Sequence, residues 1–406
     1  MIEGWKRTSI GEIGHVVTGT TPPTTNSEYY GGDIPFVAPG DLGKNLFVNF
    51  TERTLTAEGL AKAKALPAGA VLFTCIGATI GKSAIAGREL ATNQQVNAVI
   101  CSPQKADSTF VYYLLNMRAE QIKRLAGAQA VPIVNKSTFE DVTAPFPPLS
   151  EQRKIAEILR TWDDALEKLE ALRDAGVSRK KGILQCLFGD GIQFQDRWDA
   201  KSLKDISERV RRTNDGGDHP IMTISAKGGF LLQSDKFARD MAGSSVDRYT
   251  QIKQGEFAYN KGNSKTAPYG CIFALDRPTA VVPFVYFCFK LDDDLHHPFF
   301  VHLFEAGVLN HQLSRLINSG VRNDGLLNLY AEDFFNCRVP VPPHDEQVRI
   351  ANIITSLNSE LTLVEEEIAV VQRQKRGLMQ KLLTGEWRVA HSQDQTENIG
   401  KEAAHG

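Results

Sequence analysis

The sequence contains a long internal duplication. Residues 147–190 align without a gap to residues 342–385 at a constant offset of 195 positions, and 13 of the 44 paired positions are identical. Both copies begin with the pattern Pro-Pro-x-x-Glu-Gln-x-x-Ile-Ala. Because the same segment recurs at about half the chain length, the chain is expected to fold as two related halves.

Each copy of the duplicated segment predicts one long helix. The Pro-Pro pair ends the preceding structure, and Ser150 or Asp345 can cap the first helical turn with a side-chain oxygen. An acid follows at the positive end of each helix dipole, Glu151 in the first copy and Glu346 in the second. A helix of about 40 residues is a rod of about 60 Å, and its apolar stripe requires a partner. The obvious partner is the other copy.

Apolar residues recur along both predicted helices at alternating steps of four and three, which predicts a heptad seam. In the first copy the pattern weakens at Arg173 and Gly176, where we expect a kink or a frayed turn. The predicted seam residues are Ile155, Ile158, Leu159, Trp162, Leu166 and Leu169 in the first copy, and Ile350, Ile354, Leu357, Leu361, Val364, Ile368 and Val371 in the second. We expect Ile158, Trp162, Leu166, Leu357, Leu361 and Val364 to bury one another.

Composition excludes several classes of protein. The chain has 406 residues, 42% of them hydrophobic, which predicts two to four globular domains rather than disorder. It has no apolar run long enough for a membrane span and no signal segment at Met1, so no membrane association is expected. The net charge of −2 excludes bulk coating of nucleic acid, so any basic surface must be local. Six scattered cysteines without a Cys-x-x-Cys pair favour a reducing, cytoplasmic compartment.

The segments outside the duplication diverge between the two halves. The predicted organisation is a first domain at 1–147, a helix at 148–190, a second domain at 191–341, a helix at 342–388 and a disordered tail at 389–406. The domains are predicted to hold short strands at 34–37, 70–74, 96–100, 256–260, 270–275 and 284–290, and helices at 108–125 and 298–317.

Three patterns that could indicate catalysis or metal binding were weighed and rejected. Gly77–Ser83 resembles a phosphate-binding loop, but it has three residues rather than four before its Gly-Lys pair. Phe188-Gly189-Asp190-Gly191 resembles the glycine loop of adenine methyltransferases, yet it follows a helix, and the chain lacks their Asn/Asp-Pro-Pro-Tyr/Phe tetrapeptide. His296, His297 and His302 lie near three aspartates, and a polar loop entering a helix explains them better than a metal site. We therefore expect no catalytic, cofactor-binding or metal-binding residues in this chain.

The duplicated Pro-Pro-x-x-Glu-Gln-x-x-Ile-Ala helices, alternating with two divergent blocks, resemble the DNA-specificity subunit of Type I restriction–modification enzymes over essentially residues 1–388. Weaker support comes from Gly69–Ser83, which is similar to a strand and loop of that family, and from Asn93-Gln94-Gln95 after it. The corresponding loop of the second block, Lys261-Gly262-Asn263-Ser264-Lys265, departs from the family pattern.

The resemblance implies an α+β fold with two mixed α/β target recognition domains, separated by two long antiparallel, coiled-coil-like helices in an internal pseudo-twofold repeat. It implies a non-catalytic subunit that binds a split double-stranded DNA target, one half-site per domain. Its partners would be two modification subunits, which bring S-adenosylmethionine, and two restriction subunits, which use ATP and Mg²⁺. The chain itself would hold no cofactor. Two alternatives stay open: a coiled-coil adaptor without DNA contact, and a DNA methyltransferase in its own right.

Candidate DNA contacts are polar and basic residues in loops rich in glycine and proline, because Arg, Asn and Gln read base edges while Lys and backbone amides bind phosphates. The candidates are Thr20, Thr21, Lys44, Asn45, Thr79, Lys82 and Asn135 in the first domain, and Arg211, Arg212, Lys227, Asn260, Lys261, Asn263, Lys265, Arg322 and Asn323 in the second. Several fall at matched places, just after the strands that follow Gly69 and Gly255.

Overall fold

Ten α-helices are present among the residues that the structure, a computed structural model, describes. Those residues are 3–127, 130–188, 198–226, 228–236, 243–262, 266–317 and 326–389. The helices are α1 (Ile10–Ile13), α2 (Ala57–Lys62), α3 (Ser108–Lys123), α4 (Lys136–Glu140), α5 (Leu149–Phe188), α6 (Gln233–Lys236), α7 (His297–Glu305), α8 (Asn310–Leu316), α9 (Ala331–Asn336) and α10 (His344–Thr384). Short 3₁₀ turns lie at Ser27–Tyr29, Arg124–Ala126, Leu203–Asp205 and Gly243–Arg248.

The strands are short and fall into two groups along the chain. The first group is β1 (Lys6–Ser9), β2 (Gly14–Thr18), β3 (Tyr30–Val37), β4 (Phe47–Val48), β5 (Thr54–Leu55), β6 (Val71–Thr74), β7 (Ser83–Ala86), β8 (Ala91–Thr92), β9 (Val96–Cys101) and β10 (Thr143–Phe146). The second group is β11 (Asp199–Ser202), β12 (Ser207–Val210), β13 (Met222–Ser225), β14 (Gly229–Leu232), β15 (Thr250–Lys253), β16 (Phe257–Asn260), β17 (Cys271–Ala274), β18 (Thr279–Val282), β19 (Phe287–Leu291) and β20 (Arg338–Val341).

Contacts divide the chain into two compact units that do not follow the sequence in blocks. One unit comprises residues 1–170 and 366–406, and the other comprises residues 171–365. Each unit therefore contains one group of strands together with part of α5 and part of α10. The first strand group and its helices are called the first domain below, and the second group the second domain.

The first domain is built on a five-stranded sheet in the order β2-β9-β6-β7-β4, with a three-stranded sheet β5-β3-β8 and a ribbon β1-β10. Only β4 in the larger sheet runs parallel to its neighbour, β7. Helix α3 packs on the sheet and contributes Phe110 to the main core, beside Phe73 and Phe139. Ile155 and Leu159 of α5, with Leu382 and Leu383 of α10, complete the same core. Both long helices are thus part of the first domain's interior.

The second domain repeats this plan with different residues. Its sheet has the order β12-β19-β16-β17, which corresponds to β2-β9-β6-β7, and the ribbon β11-β20 corresponds to β1-β10. Further ribbons pair β13 with β14 and β15 with β18. An aromatic core of Phe257, Phe289, Phe299 and Phe334 also takes in residues of both long helices, Phe188 and Ile350 among them. The α+β fold and its two long helices therefore agree with the sequence-based prediction.

The glutamine of the duplicated motif connects each long helix to its own domain. Gln152 accepts a hydrogen bond from the Asp107 backbone amide (3.0 Å) and donates to the carbonyls of Lys105 (3.1 Å) and Pro147 (2.9 Å). In the second copy Gln347 accepts from the His296 amide (2.9 Å) and donates to the Pro342 carbonyl (2.8 Å). Both glutamines are buried, so these bonds are not exchanged for water.

The lysine of the duplicated segment connects each long helix to the other domain. Lys375 of α10 forms an ion pair with Asp163 of α5, and its ammonium lies 5.3 Å from the Tyr113 ring of the first domain. Its counterpart Lys180, on α5, lies 3.6 Å from Glu305 of the second domain. The first turns of each long helix therefore contact the domain that precedes it in the chain, and the later part of the helix contacts the other domain.

Three sequence-based expectations are corrected by the structure. The helix expected at 298–317 is two helices, because Gly307 between α7 and α8 takes a left-handed backbone (φ 74°). The helix expected at 108–125 ends at Lys123 and passes into a 3₁₀ turn. No kink or fray interrupts α5 at Arg173 or Gly176, since the helix runs unbroken from Leu149 to Phe188.

Gly176 has a packing role instead. A Cβ added at Gly176 would lie 2.8 Å from Cδ2 of Leu361, so glycine gives the leucine of α10 room to approach α5. Leu357, Leu361 and Val364 line a groove there with Leu172. The apolar pattern weakens at Gly176 because this position makes room for the Leu361 side chain and has no side chain of its own.

All predicted seam residues are buried or half-buried, with Ile155, Leu159, Ile350, Ile354, Leu357 and Ile368 the buried ones. The neighbours of two of them differ from those expected, because Ile158 and Leu361 were expected to lie in one group with four other seam residues. Ile158 lies beside Leu378 and Leu382, whereas Leu361 lies against Gly176. In each unit the beginning of one helix runs beside the end of the other, as antiparallel helices must.

The predicted domain boundaries and the disordered tail stay predictions. The described helices begin at Leu149 and His344, close to the boundaries proposed from sequence. Of the predicted tail, Val389 packs against the core of the first domain, and residues 390–406 lie outside the described residues.

Candidate nucleic-acid interface

Several loops of the first domain meet at one end of its sheet. Strand β2 ends at Thr18 and β6 ends at Thr74, next to the residues with which β9 begins. The loops there are tied together, because the Thr20 amide donates to the Thr92 carbonyl (2.9 Å) and the Cys75 amide to the Gln95 carbonyl (2.8 Å). We call residues 19–21, 75–82, 93–95 and 131–135 the first loop cluster.

The first loop cluster brings together five of the seven candidates predicted in this domain: Thr20, Thr21, Thr79, Lys82 and Asn135. The hydroxyl of Thr21 donates to Oε1 of Gln94 (2.7 Å), and Lys82 is exposed. Ile76 pairs with Ile133, which brings the segment before Asn135 to the Thr79 loop. Asn135 itself caps α4 by accepting from the Thr138 amide (2.8 Å), so its side-chain oxygen has a structural use.

Lys44 and Asn45 lie to one side of this cluster. With Asp163, Asp164 and Glu167 of α5 they line a cleft of about 460 Å³. Carboxylates on the cleft wall repel phosphate, so this placement favours contact of the two residues with α5 over contact with DNA. The preceding Gly43 lies against the Lys82 side chain, so the cleft adjoins the Lys82 side of the first loop cluster.

The second domain has an equivalent end. Strand β12 ends at Val210 and β16 at Asn260, beside the first residues of β19. The Leu327 amide donates to the Lys261 carbonyl (2.8 Å), as the Val134 amide donates to that of Cys75 in the first domain. We call residues 211–221, 261–262, 266–270, 283–286 and 326–327 the second loop cluster.

The described candidates of the second domain have different surroundings. Arg211 is exposed in the cluster, and the Lys261 ammonium lies 5.3 Å from the Phe287 ring. Arg212 forms an ion pair with Glu256, whose side chain is 6% exposed. The positive charge of Arg212 therefore compensates a buried carboxylate of its own domain. Asn260 donates to the Ile224 carbonyl (3.0 Å) and accepts from the Gly262 amide (2.9 Å), which holds the loop rather than reading a base. The remaining candidates, Lys227, Asn263, Lys265, Arg322 and Asn323, lie outside the described residues.

The glycine loop at the first cluster does not have the structure of a nucleotide-binding loop. Gly77 and Gly81 take left-handed backbones (φ 85° and 103°), and strand β7 begins directly at Ser83. A phosphate-binding loop requires a helix N-terminus at that point. The neighbouring Cys75 is not an activated nucleophile, because burial raises the pKa of its thiol to about 12.

The histidine-rich turn enters a helix, as expected. Helix α7 begins at His297 with Pro298 in its first turn, and the ring of His297 bonds to the Gly255 carbonyl (2.8 Å). Nowhere in the described ranges do three His, Cys, Asp or Glu side chains converge as metal ligands would. None of the described helices is long and apolar enough to span a membrane.

Comparison with known proteins shows which family the chain resembles. Residues 2–174 match the family model of the Type I restriction modification DNA specificity domain. The Type I restriction enzyme MjaIX specificity subunit of Methanocaldococcus jannaschii is 25% identical over 95% of this chain and 94% of its own length. The HindI specificity subunit of Haemophilus influenzae is 29% identical over 42% of this chain and 39% of its own. The chain is thus similar to Type I specificity subunits along nearly its whole length.

The fold of the chain is also similar to a solved one. A crystal structure of a Type I restriction–modification S subunit from M. genitalium covers 93% of this chain and 96% of its own length, with a TM-score of 0.56 and 16% identity. This match extends well beyond residue 174, so the similarity in fold includes the second domain.

Sequence reasoning missed two residues at the tips of equivalent turns in the two domains. The Val96 amide donates to the Asn93 carbonyl (3.2 Å), and the Tyr286 amide donates to the Pro283 carbonyl (3.0 Å), just before β9 and β19. The residue after the accepting carbonyl is Gln94 in the first domain and Phe284 in the second. The Asn93-Gln94-Gln95 run was a sequence signal for Gln94. Phe284 had none, because an apolar residue beside a strand is read as part of that strand.

Proposed function

We propose that this specificity subunit binds a split double-stranded DNA target, with each loop cluster contacting one half-site, and that it performs no catalysis itself. The observation that carries the proposal is the repeated sheet whose equivalent ends carry different side chains. Thr21 and Gln94 lie at this end of the first domain, and Arg211 and Phe284 at that of the second. One scaffold with two different reading surfaces suits an asymmetric target.

The long helices supply the second part of the proposal. Their apolar residues belong to the cores of both domains, so each domain is anchored to the helices by its interior. A rigid connection would fix the spacing of the two half-sites. We further propose that the helices hold two modification subunits, which bring S-adenosylmethionine, and two restriction subunits, which use ATP and Mg²⁺. Relatives named as subunits of Type I restriction enzymes support this assembly.

A binding titration tests the proposal. The chain is purified with its modification subunits and titrated, from about 50 to 200 mM salt, with duplexes that contain its genomic methylation motif or a shuffled motif. We expect binding to weaken linearly on a log–log plot and to favour the motif by at least about 10³-fold. Equal affinity for both duplexes would favour the adaptor alternative. Methyl transfer by the isolated chain would favour the methyltransferase alternative.

A further inference from the structure

An exposed aromatic ring stands at the tip of the second loop cluster. Phe284 is 53% exposed, although its neighbours Pro283 and Tyr286 belong to a tight turn between β18 and β19. Arg211 and Lys261 follow strands that end at the same end of the sheet. A phenylalanine exposed at a loop tip loses the free energy that burial would give it, about 1.5–3 kcal/mol. The exposed ring can gain that free energy when a ligand covers it.

The turn that carries Phe284 is held rigidly. Tyr286 is buried, its hydroxyl lies 3.0 Å from Oγ1 of Thr223, and the Ile224 amide donates to it at 3.4 Å. Its own amide closes the turn on the Pro283 carbonyl. The position of the ring is therefore fixed before any ligand binds, which reduces the entropic cost of binding.

A guanidinium lies over the same ring. The Arg248 guanidinium carbon is 5.3 Å from the centroid of Phe284, within the range of a cation–π contact. Arg248 ends the 3₁₀ turn Gly243–Arg248, and the next residue, Tyr249, is buried. The guanidinium occupies one face of the ring, which disfavours insertion of the ring between stacked bases. The ring edge remains available for an apolar contact.

We propose that Phe284 and Arg248 together determine specificity in the second half-site. The Phe284 edge contacts the 5-methyl group of a thymine in the major groove, and the Arg248 guanidinium donates to O6 and N7 of a neighbouring guanine. Thymine is the base whose major-groove edge carries a methyl group, so an apolar edge beside a donor fork suits it. The equivalent turn of the first domain carries Gln94, an amide, so the two turns differ in the edge they would read. This assignment rests on the proposed DNA-binding function.

The test uses the complex of this chain with its modification subunits. The probe is a duplex with the mapped motif, in which deoxyuridine replaces thymidine in the second half-site and so removes the methyl groups alone. We expect wild-type binding to weaken about fourfold for each contacted thymine, the value of one buried methyl group. In Phe284→Ala, affinity for the thymidine duplex falls about tenfold and the difference between thymidine and deoxyuridine disappears. Phe284→Leu, which keeps an apolar side chain, retains part of that difference.

Two controls separate the possible failures. Phe50→Ala removes a phenylalanine that is 84% exposed in the first domain, and it should change neither affinity nor the effect of deoxyuridine. Deoxyuridine in the first half-site should affect wild type and Phe284→Ala equally. If wild type binds the motif specifically and Phe284→Ala shows the same thymidine preference, the inference is wrong and the proposed function stands. If wild type shows no preference for the motif, the proposed function itself fails.

Discussion

The indole of Trp5 donates a hydrogen bond of 3.2 Å to Oε2 of Glu151, whose side chain is completely buried. The second domain repeats the bond, from Trp198 to Glu346 at 3.0 Å. Each tryptophan directly precedes the first strand of its domain, and each glutamate is the acid of the duplicated motif. The bond therefore joins the first strand of a domain to the helix that follows the domain, which explains why the motif requires glutamate beside glutamine.

The chain end adds a further partner in the first domain. Arg388, just beyond α10, binds Glu151 through two nitrogens at 2.8 and 3.1 Å and also donates to the Glu3 carbonyl at 3.0 Å. The beginning and the end of the described chain thus meet at one buried carboxylate. A buried charge held by a bidentate arginine and an indole is well compensated, and it becomes costly when a partner is removed.

Removal of this carboxylate should destabilise the first domain. We expect Glu151→Ala to cost about 1–3 kcal/mol in the free energy of unfolding, because it leaves the buried Trp5 indole without its acceptor, while the half-exposed Arg388 can be solvated. Glu346→Ala is the matched variant in the second domain, and it should cost less because Glu346 is only half-buried. Hydrogen exchange at the ribbons β1-β10 and β11-β20 locates each effect. Unchanged exchange at β1-β10 in Glu151→Ala would contradict this role.

Gly176 and Leu361 should be energetically coupled. In wild type, Gly176→Ala has two opposing effects. Alanine favours the helix over glycine by up to about 1 kcal/mol, but its methyl group would crowd the Leu361 side chain. In a Leu361→Ala background the contact is gone, so the same change should stabilise the chain by about 1 kcal/mol. Denaturant unfolding of the two single variants and the double variant measures the coupling. Gly182→Ala, with open space around its Cβ position, is the control. Additive effects would show that the two residues do not touch.

The second domain should lose stability in acid through Glu305. The His302 imidazole, whose Nδ1 lies 3.5 Å from Oε2 of Glu305, and then the positive charge of Lys180 lower the pKa of the Glu305 carboxyl below its ordinary 4.5. A lowered pKa means that the stabilisation is present above the unfolded-state pKa and is lost as the pH falls through the folded-state pKa. Unfolding measured from about pH 6 to pH 3 should therefore show a weaker pH dependence in Glu305→Gln. Asp276→Asn, at a mostly exposed carboxyl, should leave the curve unchanged.

The salt dependence of DNA binding should depend on the loop after β16. Replacement of Lys261 and Lys265 by alanine should weaken binding by the assembled complex and reduce the slope of log K against log salt by up to about two. Lys204→Ala is the control, since this exposed lysine lies before β12, at the opposite end of the sheet. If the slope and the affinity stay at wild-type values, the loop faces away from DNA, and the contacts would have to lie around Arg211 and Arg322.

The duplication made the long helices predictable, because a repeated apolar pattern with a capping residue determines a helix locally. It could not reveal the partners of Ile158 or Leu361, which depend on how far one helix slides along the other. The loop candidates were harder still. The composition of the loops selects Arg212 and Asn260 as readily as Arg211. Tertiary contacts show that Arg212 is paired with Glu256 and that Asn260 donates to the Ile224 carbonyl. Phe284 was missed because its exposure depends on a turn that the sequence pattern does not mark.

The central claim is that each domain reads its own half of a split target, and an exchange of one domain tests it most directly. Residues 1–147 are replaced by the first domain of another specificity subunit that keeps the Trp5 position, so that Glu151 retains its partner. Methylated adenines are then mapped across the genome of cells that express the chimera with the modification subunits. We predict that one half of the methylated motif changes and that the other half and the spacer length do not. A change in both halves, or in neither, would contradict the account.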